Sequence, residues 1–128
     1  MSDLRPVQLA QIGQVAIIVQ DIDRATRFYR EVLGMKYLFS AGTLSFFDCA
    51  GVRLMLSLPE SKETQQASSI LYFKVDDINA VHGSLVARDV RFEGKPHLIA
   101  RLPDHDLWMA FFRDSENNLL ALMTEVRK

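Results

Sequence analysis

Gln14 to Ile22 reads QVAIIVQDI, and Ile70 to Ile78 reads ILYFKVDDI. Each is an apolar strand-like run that ends at an acidic residue suited to open a helix. Val19 matches Val75, Asp21 matches Asp77 and Ile22 matches Ile78, a spacing of 56 residues. A repeat covering most of a chain of 128 residues signals two copies of one supersecondary unit, which bury their apolar faces against each other. The length suits a single domain, residues 1–128, so each half is expected to be a module rather than an independent globule.

Outward from the first copy, Asp21 to Val32 has a helical pattern, with Ile22, Ala25, Phe28, Tyr29 and Val32 on one stripe. Gly34 supplies the stop. Met35 to Phe39, Leu44 to Phe47 and Val52 to Ser57 follow as short strands separated by turn residues. The first module, residues 12–57, is therefore β-α-β-β-β, and the polar stretch 58–69 is a linker. The second module, residues 70–124, repeats the order. Its strand is Ile70 to Val75, its helix Asp77 to Ala87, and its further strands lie near Val90 to Glu93, Leu107 to Arg113 and Leu119 to Thr124. Leu56 and Leu122 match at a spacing of 66, so the second copy carries ten extra residues, which fall around Lys95 to Asp106. Extra segments between strands are where a site gains a lid or wall.

Composition excludes several classes of function. Apolar residues make up 48% and charged residues 24%, with a net charge of −1, so neither disorder nor an electrostatic grip on nucleic acid is indicated. No apolar run approaches the length that crosses a bilayer, and the first residues lack the pattern of a secretory signal. Cys49 is the single cysteine, so no internal disulfide forms and a cytoplasmic location is expected, with no membrane partner.

Strand alternation divides the side chains. Val15, Ile17 and Val19 face the helix, and Gln14 points to the open side of the sheet. By the repeat, Ile70, Tyr72 and Lys74 occupy that side in the second copy, with Arg53, Met55, Ser57, Ala121 and Met123 from the closing strands. Apolar surface with a few polar anchors suits a small-molecule cavity.

The paired βαβββ modules, the string QVAIIVQDIDRATRFYREVLGM from Gln14 to Met35 and FFRDSENNLLALM from Phe111 to Met123 resemble the vicinal oxygen chelate superfamily. That superfamily includes glyoxalase I, bleomycin resistance proteins, extradiol dioxygenases, methylmalonyl-CoA epimerase and fosfomycin resistance enzymes. The resemblance implies an α+β fold in which two βαβββ modules form a curved mixed sheet around a cavity, and it implies a homodimer. It fixes the fold more tightly than the reaction, since one fold hosts many activities.

Metal-dependent members bind a divalent ion through side chains that correspond here to Gln14, Met55, Ile70 and Ala121. Of these only Gln14 offers a ligand suited to a hard or borderline cation, so no metal cofactor is expected. The implied function is metal-free binding of a small organic molecule by Gln14, Arg53, Met55, Ile70, Tyr72, His105, Trp108 and Ala121. Bleomycin resistance proteins are the nearest functional analogy, although the nearly balanced charge does not favour their cationic drug.

The competing reading is a lyase, isomerase or dioxygenase whose metal or base comes from His97 and His105, assisted by Gln14. A third is a regulatory module with a vestigial cavity. His82, opposite the apolar stripe of its helix, is expected to be solvated.

Overall fold

The structure, a computed structural model, describes residues 7–59 and 69–128. Positions 60–68 of the predicted linker and residues 1–6 lie outside the described residues. The first module comprises β1 (Gln14–Ile18), α1 (Ile22–Arg27), β2 (Lys36–Ala41), β3 (Leu44–Cys49) and β4 (Val52–Ser57). The second comprises β5 (Leu71–Lys74), α2 (Ile78–Ala87), β6 (His97–Arg101), β7 (His105–Arg113) and β8 (Leu119–Arg127). The two βαβββ units read from the repeat are both present.

The repeated aspartates act alike. Asp21 and Asp77 sit in extended backbone and accept hydrogen bonds from the N–H groups of Arg24 and Ala80, which caps α1 and α2. Beyond α1 the chain widens into a π-helical turn, Phe28–Val32, where the Leu33 N–H donates to the Phe28 carbonyl at 3.0 Å. Gly34, at φ 71°, ends it in a conformation that side chains with a Cβ resist.

Each module closes into a four-stranded mixed sheet, in the orders β1-β4-β3-β2 and β5-β8-β7-β6. Strands β1 and β4, and β5 and β8, pair in parallel, and the remaining pairs are antiparallel.

Three expectations need correction. No strand covers Val90 to Glu93; Phe92 makes a lone bridge to Phe112, and the second strand of the module is His97–Arg101 instead. The extra segment is therefore largely a hairpin of the sheet rather than a separate wall. Gly94 and Pro96 interrupt the strand pattern where the prediction ended it, while the true strand, HLIAR, carries too little alternation to declare itself. The second copy's excess also accrues in steps. Ile22 and Ile78 open the helices, Leu38 and Ile99 occupy equivalent bulges in β2 and β6, and Leu56 and Leu122 lie near the module ends. Finally, β8 runs on to Arg127, past Thr124, because β7 is long enough to pair with it.

The helix-side faces of both sheets share one core. Ile17, Tyr29, Phe47 and Leu56 from the first module cluster with Ile78, Leu85, Phe112 and Leu120 from the second. The turn between β7 and β8 locks the modules together through polar groups. Tyr29 Oη donates to Asp114 Oδ2 at 2.7 Å, and both residues are buried. Asp114 also accepts from the N–H groups of Glu116 and Asn118 and from Asn118 Nδ2, so its burial leaves no oxygen unsatisfied. Asn118 Nδ2 further donates to the Ile18 carbonyl across the module boundary.

Glu116 then reaches the start of α1. Its carboxylate accepts from the N–H groups of Gln20 and Asp21 at 2.9 and 2.8 Å and from Arg24 Nε at 2.7 Å, with no side-chain surface left to solvent. Burial raises the Glu116 pKa, but the hydrogen bonds from Arg24, Asp21, Ser115 and Gln20 outweigh it and hold the carboxyl down at about 2, below its ordinary 4.5. The folded pKa lies below the unfolded one, so this carboxylate contributes its full stability above about pH 4.5 and loses it as pH falls toward 2. Glu116→Gln is expected to cost about 2 kcal/mol at neutral pH, in line with hydrogen bonds to a charged group. It should also flatten the loss of stability between pH 4.5 and 2, measured by urea denaturation at each pH. An unchanged acid profile would count against the latch.

Candidate functional site

The face of each sheet opposite the shared core is the candidate site. In the first sheet its side chains stand in cross-strand rows, because strand register places every second residue side by side. One row holds Gln14, Arg53, Asp48 and Lys36; the next Ala16, Met55, Phe46 and Phe39; the third Ile18, Ser57, Leu44 and Ala41. Gln14 Nε2 approaches Met55 Sδ at 3.8 Å. Phe39 stacks on Phe46 with ring centroids 4.6 Å apart, and the Arg53 guanidinium lies over Phe46 at 5.8 Å. A hollow of about 420 Å³ opens beside them, lined by Ala16, Ile18, Leu44, Met55, Ser57 and Pro59.

The second sheet presents a different surface. Tyr72 and Phe111 flank Ala121 in register, from β5 and β7, and their rings meet edge to face at 6.1 Å. Ala121 is fully buried although it belongs to the open side. His97 lies 6.4 Å from Phe111, ring to ring, which extends the aromatic row toward β6. Ile70, just before β5, is exposed.

The positions where metal-dependent relatives would place ligands do not fit a cation here. Gln14 and Met55 contact each other, but an amide and a thioether are a poor set for Mg, Mn or Zn. Ile70 offers no donor atom. At Ala121 the space that a ligating side chain would enter is taken by the Tyr72 and Phe111 rings. Among the described residues no three His, Cys, Asp or Glu side chains gather into a cage.

The two histidines share a face but not a site. His97 stands opposite Met109 on β7, whereas His105 begins β7 and stands opposite Arg127. Four residues of strand separate those levels, about 13 Å, too far for one ion or one proton relay. His97 Nδ1 is bonded to the Lys95 carbonyl at 3.0 Å. His105 is more embedded: Nδ1 pairs with Asp104 Oδ1 at 2.8 Å and Nε2 lies 4.0 Å from Glu125. That hydrogen bond is the leading reason the Asp104 carboxyl sits below its ordinary pKa. Gln14 belongs to the other sheet and joins neither histidine.

Trp108 also departs from expectation. Its partners Leu98 and Thr124 and its packing on the shared core place it on the helix side. Met109, its neighbour, takes the open face, as alternation requires. His82 is half-buried against Phe92, ring centroids 4.4 Å apart, rather than solvated. Sequence reasoning missed Phe39, Phe46 and Phe111 as site residues. Alternation through β3 and β7 carries that signal once the strand ends are fixed.

The Glyoxalase/Bleomycin resistance protein/Dioxygenase superfamily model matches residues 11–122. Protein YraH of Bacillus subtilis (strain 168) is 26% identical over 129 residues, which cover 85% of this chain and 94% of that protein. Among solved structures, a virulence protein from Salmonella typhimurium aligns with a TM-score of 0.77 at 20% identity, covering 94% of this chain and 100% of that one. An integron cassette protein from V. cholerae aligns at 0.76 and 20%, covering 94% and 98%. A lactoylglutathione lyase from Agrobacterium tumefaciens aligns at 0.70 and 23%, covering 90% and 93%. These structural likenesses speak for the fold.

Ala121→Glu, which places a ligating side chain at this position, is expected to wedge Tyr72 and Phe111 apart and cost about 1–3 kcal/mol, as overpacking does. Thermal melting checks this, and an unchanged midpoint would mean that the rings do not close the position.

Proposed function

The chain belongs to the Glyoxalase/Bleomycin resistance protein/Dioxygenase superfamily, and from that premise we propose that it is a metal-free binding protein for a small organic molecule held on the open sheet faces. The observation that carries this reading is the chemistry of the four positions Gln14, Met55, Ile70 and Ala121. One amide is spent on a thioether, and another position is sealed beneath aromatic rings. The surrounding surface is apolar and aromatic with few polar anchors, the composition of a ligand wall. Lewis-acid activation of a bound substrate needs a held cation, and these side chains supply no set to hold one.

Ligand binding on these faces requires them to be covered. Within one chain Phe39, Ile70 and Tyr72 each keep more than a third of their surface exposed. A second copy is the natural cover, so the working unit is proposed to be a homodimer. The proposed location is the cytoplasm, with neither nucleic acid nor membrane as partner.

One observation favours a second reading. The His105 imidazole, oriented by Asp104 and mostly sequestered, has the form of a general base, which would make the protein an isomerase or lyase working without a cation. In that reading His97 takes no part.

Elemental analysis of the purified protein should find far less than one Zn, Ni, Mn or Fe per chain. Tight binding of one ion, lost on Gln14→Ala, would overturn the metal-free reading. Light scattering at micromolar concentration should report twice the mass of 14.6 kDa, and a monomer would remove the proposed cover. For the second reading, His105→Ala should abolish any turnover found while leaving ligand-induced melting shifts in place.

A further inference from the structure

The open face of the first sheet is graded along the strands. Its first row is polar and carries two cations, Arg53 and Lys36, against one carboxylate, Asp48. Asp48 stands across from Arg53 on β3, and its Oδ1 accepts from the Gly51 N–H at 3.3 Å in the β3–β4 turn. Among the described residues Arg53 has no acidic partner; its guanidinium is held only over the Phe46 ring. Cations on the open face of the second sheet are neutralised: Lys74 by Glu125, Arg113 by Glu93 and Arg127 by Asp104. Arg53 is thus an exposed fork of donors over the Phe46 ring, without a carboxylate ion pair among the described residues.

The hollow of about 420 Å³ begins one row along, at Ala16 and Met55, and reaches Ile18, Leu44 and Ser57 two rows along, about 13 Å from the polar row. Between the two ends stand Met55, Phe46 and Phe39, which offer stacking and soft apolar contact. Resting on the reading of these faces as a ligand wall, we infer that the ligand is an amphipathic organic anion. Its carboxylate or similar group pairs with Arg53, its body lies across Phe46 and Met55, and its apolar end fills the hollow. The class is an aryl or acyl carboxylate about 13 Å long, and a cationic ligand of that shape is disfavoured by the uncompensated guanidinium.

Isothermal titration calorimetry with phenylhexanoate and with the neutral phenylhexanol separates the anchor from the wall. The wild-type protein should bind the carboxylate at least about tenfold more tightly than the alcohol, the scale of one charge-assisted contact. Arg53→Gln should erase that preference and leave the alcohol unchanged, and Arg53→Lys should keep part of it. Ala16→Trp, which fills the hollow, should weaken both probes. Arg53 and Ala16 are both exposed, so neither change threatens the fold. Equal affinity for both probes, or carboxylate binding indifferent to Arg53→Gln, overturns the anion assignment; if Ala16→Trp still weakens both, the ligand wall itself stands. If neither substitution touches either probe, or neither probe binds, the anion assignment falls, and binding that ignores Ala16→Trp takes the wall with it.

Discussion

The carboxylate of Glu116 is the point on which the two halves of this molecule depend. It belongs to the last turn of the second module, yet its partners are the Gln20 and Asp21 N–H groups and the Arg24 side chain, where β1 of the first module becomes α1. A strand-to-helix junction leaves N–H groups without intrahelical acceptors. Here the opposite module supplies the acceptor. Asp114 stiffens the same turn by accepting from Glu116, Asn118 and the buried Tyr29 hydroxyl. Removing a partner from such a network exposes a buried charge or leaves a donor unmet, which costs more than the bond itself contributes.

That lock has a geometric consequence. It clamps the helix sides of both sheets into one core, so the opposite faces are turned outward, and among the described residues Phe39 and Tyr72 on those faces stay exposed. The exposure of Phe39 and Tyr72 follows from the lock rather than from poor packing. The open faces are also where the two modules diverge most. Their cores are built alike, from Ile17, Phe47 and Leu56 in one and Phe112, Leu120 and Leu122 in the other. Their open sides carry a graded cationic and aromatic surface in one case and a charge-balanced surface with a closed aromatic row in the other.

Much of this was legible in the sequence because it is local. The repeated aspartate caps, the Gly34 stop and the alternation of Val15, Ile17 and Val19 are each decided within a few residues, and they mark both modules. The family resemblance was legible from the same strings and is matched by the model over residues 11–122. What was not legible depends on register. The strand at His97–Arg101 is defined by its pairing with β7 and interrupted by a bulge at Ile99, so its own residues do not announce it. Trp108 faces the core because β7 alternates in step with Ala110 and Phe112, and strand pairing sets His97 at the level of Met109, four residues along β7 from His105. The Glu116 latch was equally hidden, since its partners lie more than ninety residues away in the chain.

Ala121 shows how one small side chain shapes the packing around it. A small residue in a strand leaves room above it, and room beside aromatic side chains is closed by them, because an unfilled apolar gap forfeits contacts on every side. Tyr72 from β5 and Phe111 from β7 meet over Ala121, so the space a longer side chain would enter is taken by the two rings. A single substitution at Ala121 therefore does not complete a donor set here: the incoming side chain would have to move two rings, and Ile70 would still offer no donor atom. The small side chain at position 121 and the two rings that meet over it are two aspects of one packing arrangement.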